Sequence, residues 1–321
     1  MPTRYFITGG AGFIGSHLVE RLLATTDATI TVFDNFLTGT EKHLETVRDN
    51  ERLTVIRGDI REPELLTRSI AGHDVVYHFA SNADIAQAVV NPDIDFDNGT
   101  LLCRNVLEAM RKTGVRRIRF TSGSGVYGDI PPTPIPEDWP TMIPVSTYGA
   151  GKLAAEALIS AYCFMFDFEG TVFRFANVVG PRQTHGVGYD FVRKLRANPQ
   201  KLLILGDGSQ SKPYIHVYDV LDAFALLERE RRGPYEYFNV GTTDHITVRE
   251  IADIVVREMS LSNVTYEYTG GPRGWRGDVP VYRLDTSKIR SRGWASKYTS
   301  EGAVMDAIRS MIQETAREGY T

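Results

Sequence analysis

The chain has few cysteines, no excess of positive charge and no long apolar run. Its 321 residues include only Cys103 and Cys163, which excludes a disulfide framework and predicts two packing residues in a reducing compartment. Asp and Glu outnumber Lys and Arg by 40 to 36, so the basic face of a general nucleic-acid binder is not expected. No apolar run approaches the roughly 18 residues of a membrane span, no signal peptide precedes the first strand, and no Cys or His stands at metal-ligand spacing. The sequence therefore predicts a soluble, cytoplasmic protein without a metal site that binds neither nucleic acid nor membranes.

Short apolar runs alternate with helical stretches in the first half, which is typical of βαβ units. The predicted strands, rich in β-branched and aromatic residues, are 3–8, 29–34, 53–57, 74–79, 116–121 and 170–175. The predicted helices are 13–25, 61–71, 92–113 and 147–168. This alternation predicts an α/β fold with a doubly wound parallel (Rossmann) sheet.

The rhythm loosens after about residue 172, where Pro and Gly separate shorter elements. A helix is predicted over 247–260, opened by a capping box of Thr247 and Glu250, and a last helix over 300–317. We predict a first domain over 1–172 and a smaller C-terminal α/β cap over 173–321. The chain is expected to return to the first domain near 214–245.

A glycine-rich turn follows the first strand and opens the first helix. Gly9 suits the tight turn, Gly12 lets the backbone approach a pyrophosphate, and Gly15 permits close packing of the helix on the sheet. The helix N-terminus offers N–H groups to the phosphates. Asp34 ends the second strand about 20 residues later, where an acid hydrogen-bonds the ribose hydroxyls. Because its carboxylate repels a 2′-phosphate, the sequence predicts NAD rather than NADP.

Tyr148 and Lys152 form a second pattern, at the start of the helix predicted over 147–168. Residues i and i+4 share one helical face, so the phenol and the ammonium address the same site. A free phenol titrates near about 10, and a nearby ammonium with the positive nicotinamide ring favours the phenolate. The pair is therefore suited to take a hydroxyl proton while a hydride leaves the same carbon.

Several motifs occur in an order that is typical of one family. They lie at 8–15, 34–35, 78–80, 126–129, 148–152, 174–182 and 206–210. With them the chain resembles the extended short-chain dehydrogenases/reductases of the nucleotide-sugar epimerase/dehydratase group, across nearly its whole length. It is most similar to the UDP-glucose 4-epimerases, particularly the shorter archaeal-type ones, which share the Gly-Trp-x-Gly-Asp-Val pattern at 274–279.

The resemblance implies roles for further residues. Phe79, Ala80 and Ser81 would line the NAD groove, and Phe175 would approach the nicotinamide. Asn177 would hold the sugar diphosphate. The predicted cofactor contacts also include Phe13, Ile14, Asn35, Asp59, Ile60 and Asn98. The predicted diphosphate-binding cations, which such a ligand requires, are Lys212 and either Arg273 or Arg276.

The chain departs from the family pattern before Val126. The family places a catalytic Ser or Thr three residues earlier, where this chain has Gly123. We predict that Ser124 supplies the hydroxyl and contacts the substrate; Ser122, a water or a substrate group are the alternatives. Sugar 4,6-dehydratases carry an Asp-Glu pair just before the Val, and decarboxylating relatives keep a Glu. This chain has Ser124-Gly125 there and therefore lacks the carboxylate that dehydration or decarboxylation would use. The remaining residues suit reversible hydride transfer.

The predicted function is NAD-dependent C4 epimerisation of a nucleotide-diphosphate sugar through a transient 4-keto intermediate, with UDP-glucose and UDP-galactose as the default pair. Residues 1–172 would bind NAD and residues 173–321 mainly the nucleotide sugar. The alternatives are a nucleotide-sugar dehydrogenase or reductase, an epimerase of another nucleotide sugar such as an ADP-heptose or a UDP-uronic acid, and a non-catalytic NAD-binding regulator. The resemblance also implies a homodimer that pairs through the helices near 92–113 and 147–168.

Overall fold

The computed structural model describes residues 1–82, 85–230 and 232–317, and it divides the chain into two units. The first unit consists of Met1–Val126, Thr147–Arg174 and Glu228–Phe238. The second consists of Tyr127–Ser146, Phe175–Leu227 and Asn239–Thr321.

A sheet of seven strands, counted over the described residues, is the framework of the first unit. Its strands are β1 (Arg4–Thr8), β2 (Thr29–Asp34), β3 (Leu53–Arg57), β4 (Val75–His78), β5 (Arg117–Gly123), β6 (Glu169–Phe175) and β11 (Tyr235–Val240). They lie in the order β11-β6-β5-β4-β1-β2-β3, and the pairs from β5 to β3 are parallel. The strand order reverses beside β1, where doubly wound sheets bind their ligands. The predicted Rossmann-type fold is confirmed.

Helices connect the strands of the first unit. They are α1 (Phe13–Thr25), α2 (Pro63–Ile70), α3 (Asp93–Asp95), α4 (Leu101–Thr113) and α5 (Thr147–Met165), and 3₁₀ turns span Glu41–Val47, Ile85–Val89 and Ser124–Val126. The helix predicted over 92–113 is confirmed, since residues 93–113 are helical throughout, and a π-helical turn at Phe96–Thr100 lies between α3 and α4. Asp97, Asn98 and Gly99 are poor helix formers, and the wider turn changes which side chains point inward.

Apolar side chains of the central strands form the core of the first unit. Phe6, Val76, Ile118 and Val172 are fully buried against α2, α4 and α5. The helices contribute Leu66, Ile70, Val106, Leu107, Ala155 and Ile159 to this cluster. Strands of a parallel sheet that are buried on both faces have nearly continuous apolar sequences. This is why the central strands could be predicted from the sequence.

The second unit is built of short strands and helices. Its strands are β7 (Asn177–Val179), β8 (Lys201–Ile204), β9 (Ser211–Lys212), β10 (Tyr214–His216), β12 (Ile246–Thr247) and β13 (Thr265–Tyr268). They pair as β7 with β10, β8 with β13 and, antiparallel, β9 with β12. Its helices are α6 (Val187–Ala197), α7 (Val217–Arg229), α8 (Val248–Glu258), α9 (Ser287–Arg290) and α10 (Ser300–Arg317). Side chains of α6, α8 and α10 share one core, and the capping box of Thr247 and Glu250 is confirmed.

The division of the chain differs from a single boundary at residue 172. Residues 127–146 belong to the second unit, where Ile135 pairs with Leu284. The segment Glu228–Phe238 belongs to the first unit, inside the predicted return near 214–245. It returns because β11 extends the sheet beside β6, a strand that the sequence analysis did not assign.

Two absences hold for the described parts of the chain. No helix there is both long and apolar enough to cross a membrane. No group of three or more His, Cys, Asp or Glu side chains there is arranged to hold a metal ion.

Candidate active site

The glycine-rich turn after β1 leaves little room for side chains. Gly9 has a φ of +69°, and a Cβ built there lies 2.7 Å from the backbone N of Ala80. A Cβ on Gly15 lies 2.4 Å from the carbonyl O of Gly9. At Gly12 the Cβ meets only that same oxygen, at 3.2 Å, among the described atoms within 4 Å. The turn therefore lies against the loop after β4 and keeps the Gly12 backbone accessible to a ligand.

The N-terminus of α1 is suited to an anion. The helix begins at Phe13 with Gly12 as its N-cap, and no side chain caps it. Its first turn carries no acidic residue. The N–H groups from Phe13 through Ile14 to Gly15 have no carbonyl partner within the helix, and the helix dipole is positive there. A pyrophosphate matches both the charge and the donors.

Asp34, at the end of β2, is fixed by two backbone N–H groups. The N–H of Ala11 donates to its Oδ2 and that of Phe36 to its Oδ1, each at 2.9 Å. The residue is buried, and burial raises the pKa of its carboxyl group. A carboxylate oxygen accepts more than one hydrogen bond, so Asp34 keeps capacity for a ribose hydroxyl.

Asn35 and Asp59 form a polar group beside Asp34. The N–H of Gly58 donates to the Asp34 carbonyl at 3.0 Å, and Asn35 Nδ2 donates to Asp59 Oδ2 at 3.2 Å. The Arg61 guanidinium, 2.7 Å from Asp59, holds the pKa of that carboxyl well below its ordinary value. Asp59 is therefore an ionised, cation-paired acid, and its contact with the cofactor stays a prediction.

Three other predicted cofactor contacts have side chains engaged within the protein. Ile60 belongs to the core of the first unit. Asn98 donates from Nδ2 to the carbonyl of Ile94 at 3.0 Å, one turn earlier. The Phe79 ring stacks on Tyr77 with centroids 5.8 Å apart. Their contacts with NAD stay predictions.

Tyr148 and Lys152 occupy the first two turns of α5. Lys152 is 5% exposed, and its Nζ donates to the carbonyl of Thr121 on β5 at 2.8 Å. The same atom lies 5.6 Å from the centroid of the Tyr148 ring and 5.0 Å from that of Phe120. Burial lowers the pKa of Lys152 to about 8.

The pKa of the Tyr148 phenol depends on its burial and on nearby charges. Burial raises the pKa of Tyr148 to about 12, and the charge of Asp95 acts in the same direction. Lys152 by itself does not lower this pKa, and the lowering expected from Lys152 together with the nicotinamide ring stays a prediction. The physical reason is that the Lys152 ammonium donates to Thr121 rather than to the phenol, so burial dominates. A phenolate at neutral pH needs a further positive charge, such as a nicotinamide ring.

A cavity of about 10 Å³ adjoins this pair. It is lined by Ser81, Asn82, Asp95, Gly99, Tyr148 and Lys152. Ser81, Tyr148 and Lys152 were predicted from the sequence, whereas Asn82, Asp95 and Gly99 were not. Asp95 lies in an acidic helical stretch that is typical of a solvated surface, between the exposed Asp93 and Asp97, yet it is itself buried. The sequence feature that could have indicated a buried Asp95 is its position between Ile94 and Phe96, directly before the poor helix formers at 97–99.

The turn that follows β5 packs against the start of α5. A Cβ on Gly125 lies 3.6 Å from the Cα of Gly149 and 3.9 Å from Cδ1 of Tyr148. Ser124, one residue earlier, is half-buried. Ser122 Oγ is buried and has no hydrogen-bond partner within the described residues. Both hydroxyls are therefore within one residue of Gly123, and the assignment to Ser124 stays a prediction.

The predicted diphosphate-binding cations lie in the second unit, and two of them are paired with carboxylates. Lys212 Nζ donates to Asp278 Oδ1 at 2.6 Å, and Gly274 N donates to the other oxygen at 3.0 Å. Arg273 donates to both carboxylate oxygens of Asp129, at 3.1 and 2.7 Å, and to the backbone carbonyl of Asp278. The cations were predicted from the sequence, but their acidic partners Asp278 and Asp129 were not.

The remaining predicted contacts of the second unit differ in exposure. Arg276 is exposed and forms no ion pair with any described residue, which leaves it the less constrained of the two candidate arginines. Asn177 begins β7, and its side chain hydrogen-bonds Tyr214. Phe175 is buried, 5.9 Å from the Phe224 ring centroid.

Comparisons with known proteins agree with this arrangement. The model of the NAD dependent epimerase/dehydratase family matches residues 5–241. The chain is 33% identical to the UDP-glucose 4-epimerase of Mycolicibacterium smegmatis, over 91% of this chain and 93% of that protein. It is 34% identical to UDP-glucuronic acid decarboxylase 1 of Arabidopsis thaliana, over 83% of this chain and 60% of that protein. The structure of the Thermus thermophilus UDP-glucose 4-epimerase in complex with NAD matches with a TM-score of 0.85 and 30% identity, over 99% of this chain and 100% of that chain.

Proposed function

Because the chain belongs to the NAD-dependent epimerase/dehydratase family, we propose that it catalyses the C4 epimerisation of a nucleotide-diphosphate sugar, with UDP-glucose and UDP-galactose as the default pair. One observation carries the proposal. The turn against Tyr148 has Ser124-Gly125 where acid–base chemistry at C5 or C6 of the sugar would need a carboxylate. What remains is proton transfer at one hydroxyl beside a dinucleotide site.

The first unit fits NAD, the cofactor of this family. Gly12 and the first turn of α1 would hold the pyrophosphate, and Asp34 the adenosine ribose. When bound, NAD supplies a reversible hydride acceptor for C4 of the sugar. The buried carboxylate of Asp34 would disfavour a 2′-phosphate at the same place.

Tyr148 would take the proton of the C4 hydroxyl and return it to the opposite face of the sugar. The phenol is held at a fixed place because α5 packs on β5 and on the turn after it. The Lys152 ammonium 5.6 Å away would favour the phenolate, together with the charge of the cofactor. Ser124 would donate to or accept from the same hydroxyl.

The second unit supplies cations for the nucleotide diphosphate. Arg276 is exposed, and a guanidinium binds phosphate oxygens in a bidentate manner. Lys212 and Arg273 would exchange their carboxylate partners for phosphate oxygens, which offer the same hydrogen-bond geometry. Asn177 would donate its amide to the diphosphate.

The main alternative is a dehydrogenase or reductase of a nucleotide sugar, which would consume NAD or NADH in each turnover. Another sugar, such as an ADP-heptose or a UDP-uronic acid, would change the substrate but not the steps at Tyr148. Decarboxylation, the activity that names one 34%-identical relative, is disfavoured because Ser124-Gly125 offers no carboxylate.

The test is turnover of a panel of UDP-, ADP-, GDP- and CDP-sugars without added cofactor, followed by NMR of the anomeric protons. Wild type is expected to convert one sugar to its C4 epimer, and Tyr148→Phe to be slower by about 10²- to 10⁴-fold. Tyr162→Phe, on the same helix but bonded to Glu108, is the matched control and should retain activity. Turnover that appears only with stoichiometric NAD or NADH would instead identify a dehydrogenase or reductase.

We also propose a homodimer that pairs through α4 and α5, as the resemblance implied. Phe164 and Met165, at the end of α5, are each 71% exposed, and a large exposed apolar pair is typical of an interface. Light scattering at micromolar concentration should give twice the chain mass for wild type and less for Phe164→Lys. A cytoplasmic location remains part of the proposal, supported by the two free, buried cysteines.

A further inference from the structure

Asp95 is a buried acid that the proposed chemistry does not yet use. It ends α3, directly before the π-helical turn, and is 2% exposed. Its Oδ1 accepts a hydrogen bond from Asn82 Nδ2 at 2.8 Å, and its Oδ2 accepts one from Thr147 Oγ1 at 2.7 Å. The carboxylate thus joins the loop after β4 to the first residue of α5, immediately before Tyr148.

A buried carboxylate is costly unless a cation neutralises it. No Lys, Arg or His in the described chain forms an ion pair with Asp95, and both its partners are neutral. An asparagine would make the same two hydrogen bonds without the cost of a buried charge. The Asp95 charge acts on the buried Lys152 ammonium and on the Tyr148 phenol, which line the same cavity, and this points to a functional role.

We propose that Asp95 is a positioning residue for Tyr148, which fixes the first turn of α5 through Thr147 and uses its negative charge to keep the proton on the phenol. The inference rests on the proposed proton transfer at Tyr148. A negative charge near a phenol favours its protonated form. Asp95 would therefore support the half of the reaction in which Tyr148 returns its proton to the sugar.

The other titratable groups near this pair do not replace Asp95. They are His78 on β4, Cys103 on α4 and Glu156 further along α5. Burial lowers the pKa of His78 to about 3 and raises the pKa of Cys103 to about 12, so both are neutral at pH 7. Glu156 is in an ion pair with Arg174 at 2.6 Å. The charges left to act on the phenol are those of Asp95 and Lys152.

Two substitutions separate the charge from the hydrogen bonds. Asp95→Asn removes the charge and keeps both bonds, because the amide oxygen accepts from Asn82 and the amide nitrogen donates to the Thr147 hydroxyl. Thr147→Val removes one bond and keeps the charge. Asp93→Asn, two residues earlier on the exposed side of the same short helix, is the matched control.

The pH dependence of kcat/KM distinguishes these effects. For Asp95→Asn the acid limb of the profile should move to lower pH, since the phenol loses its proton more readily without the nearby negative charge. For Thr147→Val kcat should fall by about 10-fold or more, because the phenol is less well placed. The acid limb should stay at the wild-type pH, because the Asp95 charge is retained. Asp93→Asn should follow wild type. An acid limb that Asp95→Asn does not move, or a kcat that Thr147→Val does not lower, would overturn the inference.

A second readout works without turnover and separates this inference from the proposed function. The NAD-loaded protein is labelled with ¹³Cζ-tyrosine, and the Tyr148 signal is assigned by its absence in Tyr148→Phe. Its titration midpoint should lie at lower pH in Asp95→Asn than in wild type. Equal midpoints would refute the charge effect even if wild type epimerises a sugar. A shifted midpoint would support it even if no sugar on the panel is converted.

Discussion

The Nζ atom of Lys152 lies 5.6 Å from the centroid of the Tyr148 ring, yet its hydrogen bond goes to the carbonyl of Thr121 on β5, 2.8 Å away. The ammonium is thus anchored to the sheet and not hydrogen-bonded to the phenol. It is also buried, which disfavours its charged form. The same group therefore lowers the stability of the free protein, whereas its proposed role is to favour proton transfer at Tyr148.

Lys152→Met is expected to raise the free energy of unfolding of the cofactor-free protein below pH 8. Burial lowers the pKa of Lys152 from 10.5 to about 8, so the unfolded chain binds this proton more tightly than the folded chain. Below pH 8 both states are protonated and the full penalty, about 3 kcal/mol at roughly 1.4 kcal/mol per pKa unit, is present. It is relieved as the pH rises from 8 to 10.5.

Urea unfolding of wild type and Lys152→Met at pH 7 and pH 10 measures this difference. Lys194→Met, which removes a half-buried lysine paired with the exposed Asp190, should change stability little at either pH. The linkage is contradicted if the gain in Lys152→Met is as large at pH 10 as at pH 7.

Gly15→Ala is expected to reduce bound NAD and to destabilise the first unit. The new Cβ would lie 2.4 Å from the carbonyl of Gly9, and such overpacking costs about 1–3 kcal/mol. The turn would have to shift, which displaces the N–H groups of α1 from the pyrophosphate. The measurement is the NAD content after gel filtration, together with thermal unfolding. Gly233→Ala is the control, because a Cβ there meets no described atom within 4 Å; equal NAD content in both variants would argue against this role of the turn.

Lys212→Met should both destabilise the second unit and raise KM for the nucleotide sugar. Asp278 is buried, and the Gly274 N–H would be the one hydrogen-bond partner left to its carboxylate among the described residues. Breaking a buried ion pair costs about 3–5 kcal/mol. Adding Asp278→Asn should recover much of this stability while KM stays high. Denaturant unfolding and steady-state kinetics of the single and double variants test both statements. A double variant with normal KM would show that Lys212 does not contact the substrate.

Ser124→Ala is expected to lower kcat by about 10²-fold, whereas Ser122→Ala should leave kcat nearly unchanged. Ser124 directly precedes the glycine that packs against Tyr148. Ser122 Oγ is buried in β5, so its replacement by Ala removes a hydroxyl without a partner in the described structure, and stability should hold or rise. Steady-state kinetics of the two variants decide the assignment, and the reverse order of effects would give the role to Ser122.

The sequence was most informative where local pattern determines structure. The strand over 29–34 and the capping box at Thr247 depend on neighbouring residues, and both were found with correct bounds. β11 was missed because the short segment Tyr235–Val240, in which polar and apolar residues are mixed, does not indicate that it pairs with a distant strand. Asp95 was missed because the acids on either side of it, Asp93 and Asp97, are exposed and give no sign that this one is buried. The pairing of Lys212 with Asp278 joins residues 66 positions apart, a distance that no spacing rule covers.

The position of β11 has a consequence for synthesis on the ribosome. Until Tyr235–Val240 leaves the exit tunnel, β6 is the open edge of an otherwise complete sheet. At ordinary translation rates that edge is uncovered for several seconds after β6 itself emerges. An unpaired edge strand with buried, apolar neighbours is a template for association with other nascent chains. Productive folding of the first unit therefore waits for a segment made long after its other strands, and a chaperone that shields β6 during this interval should raise the yield of folded protein.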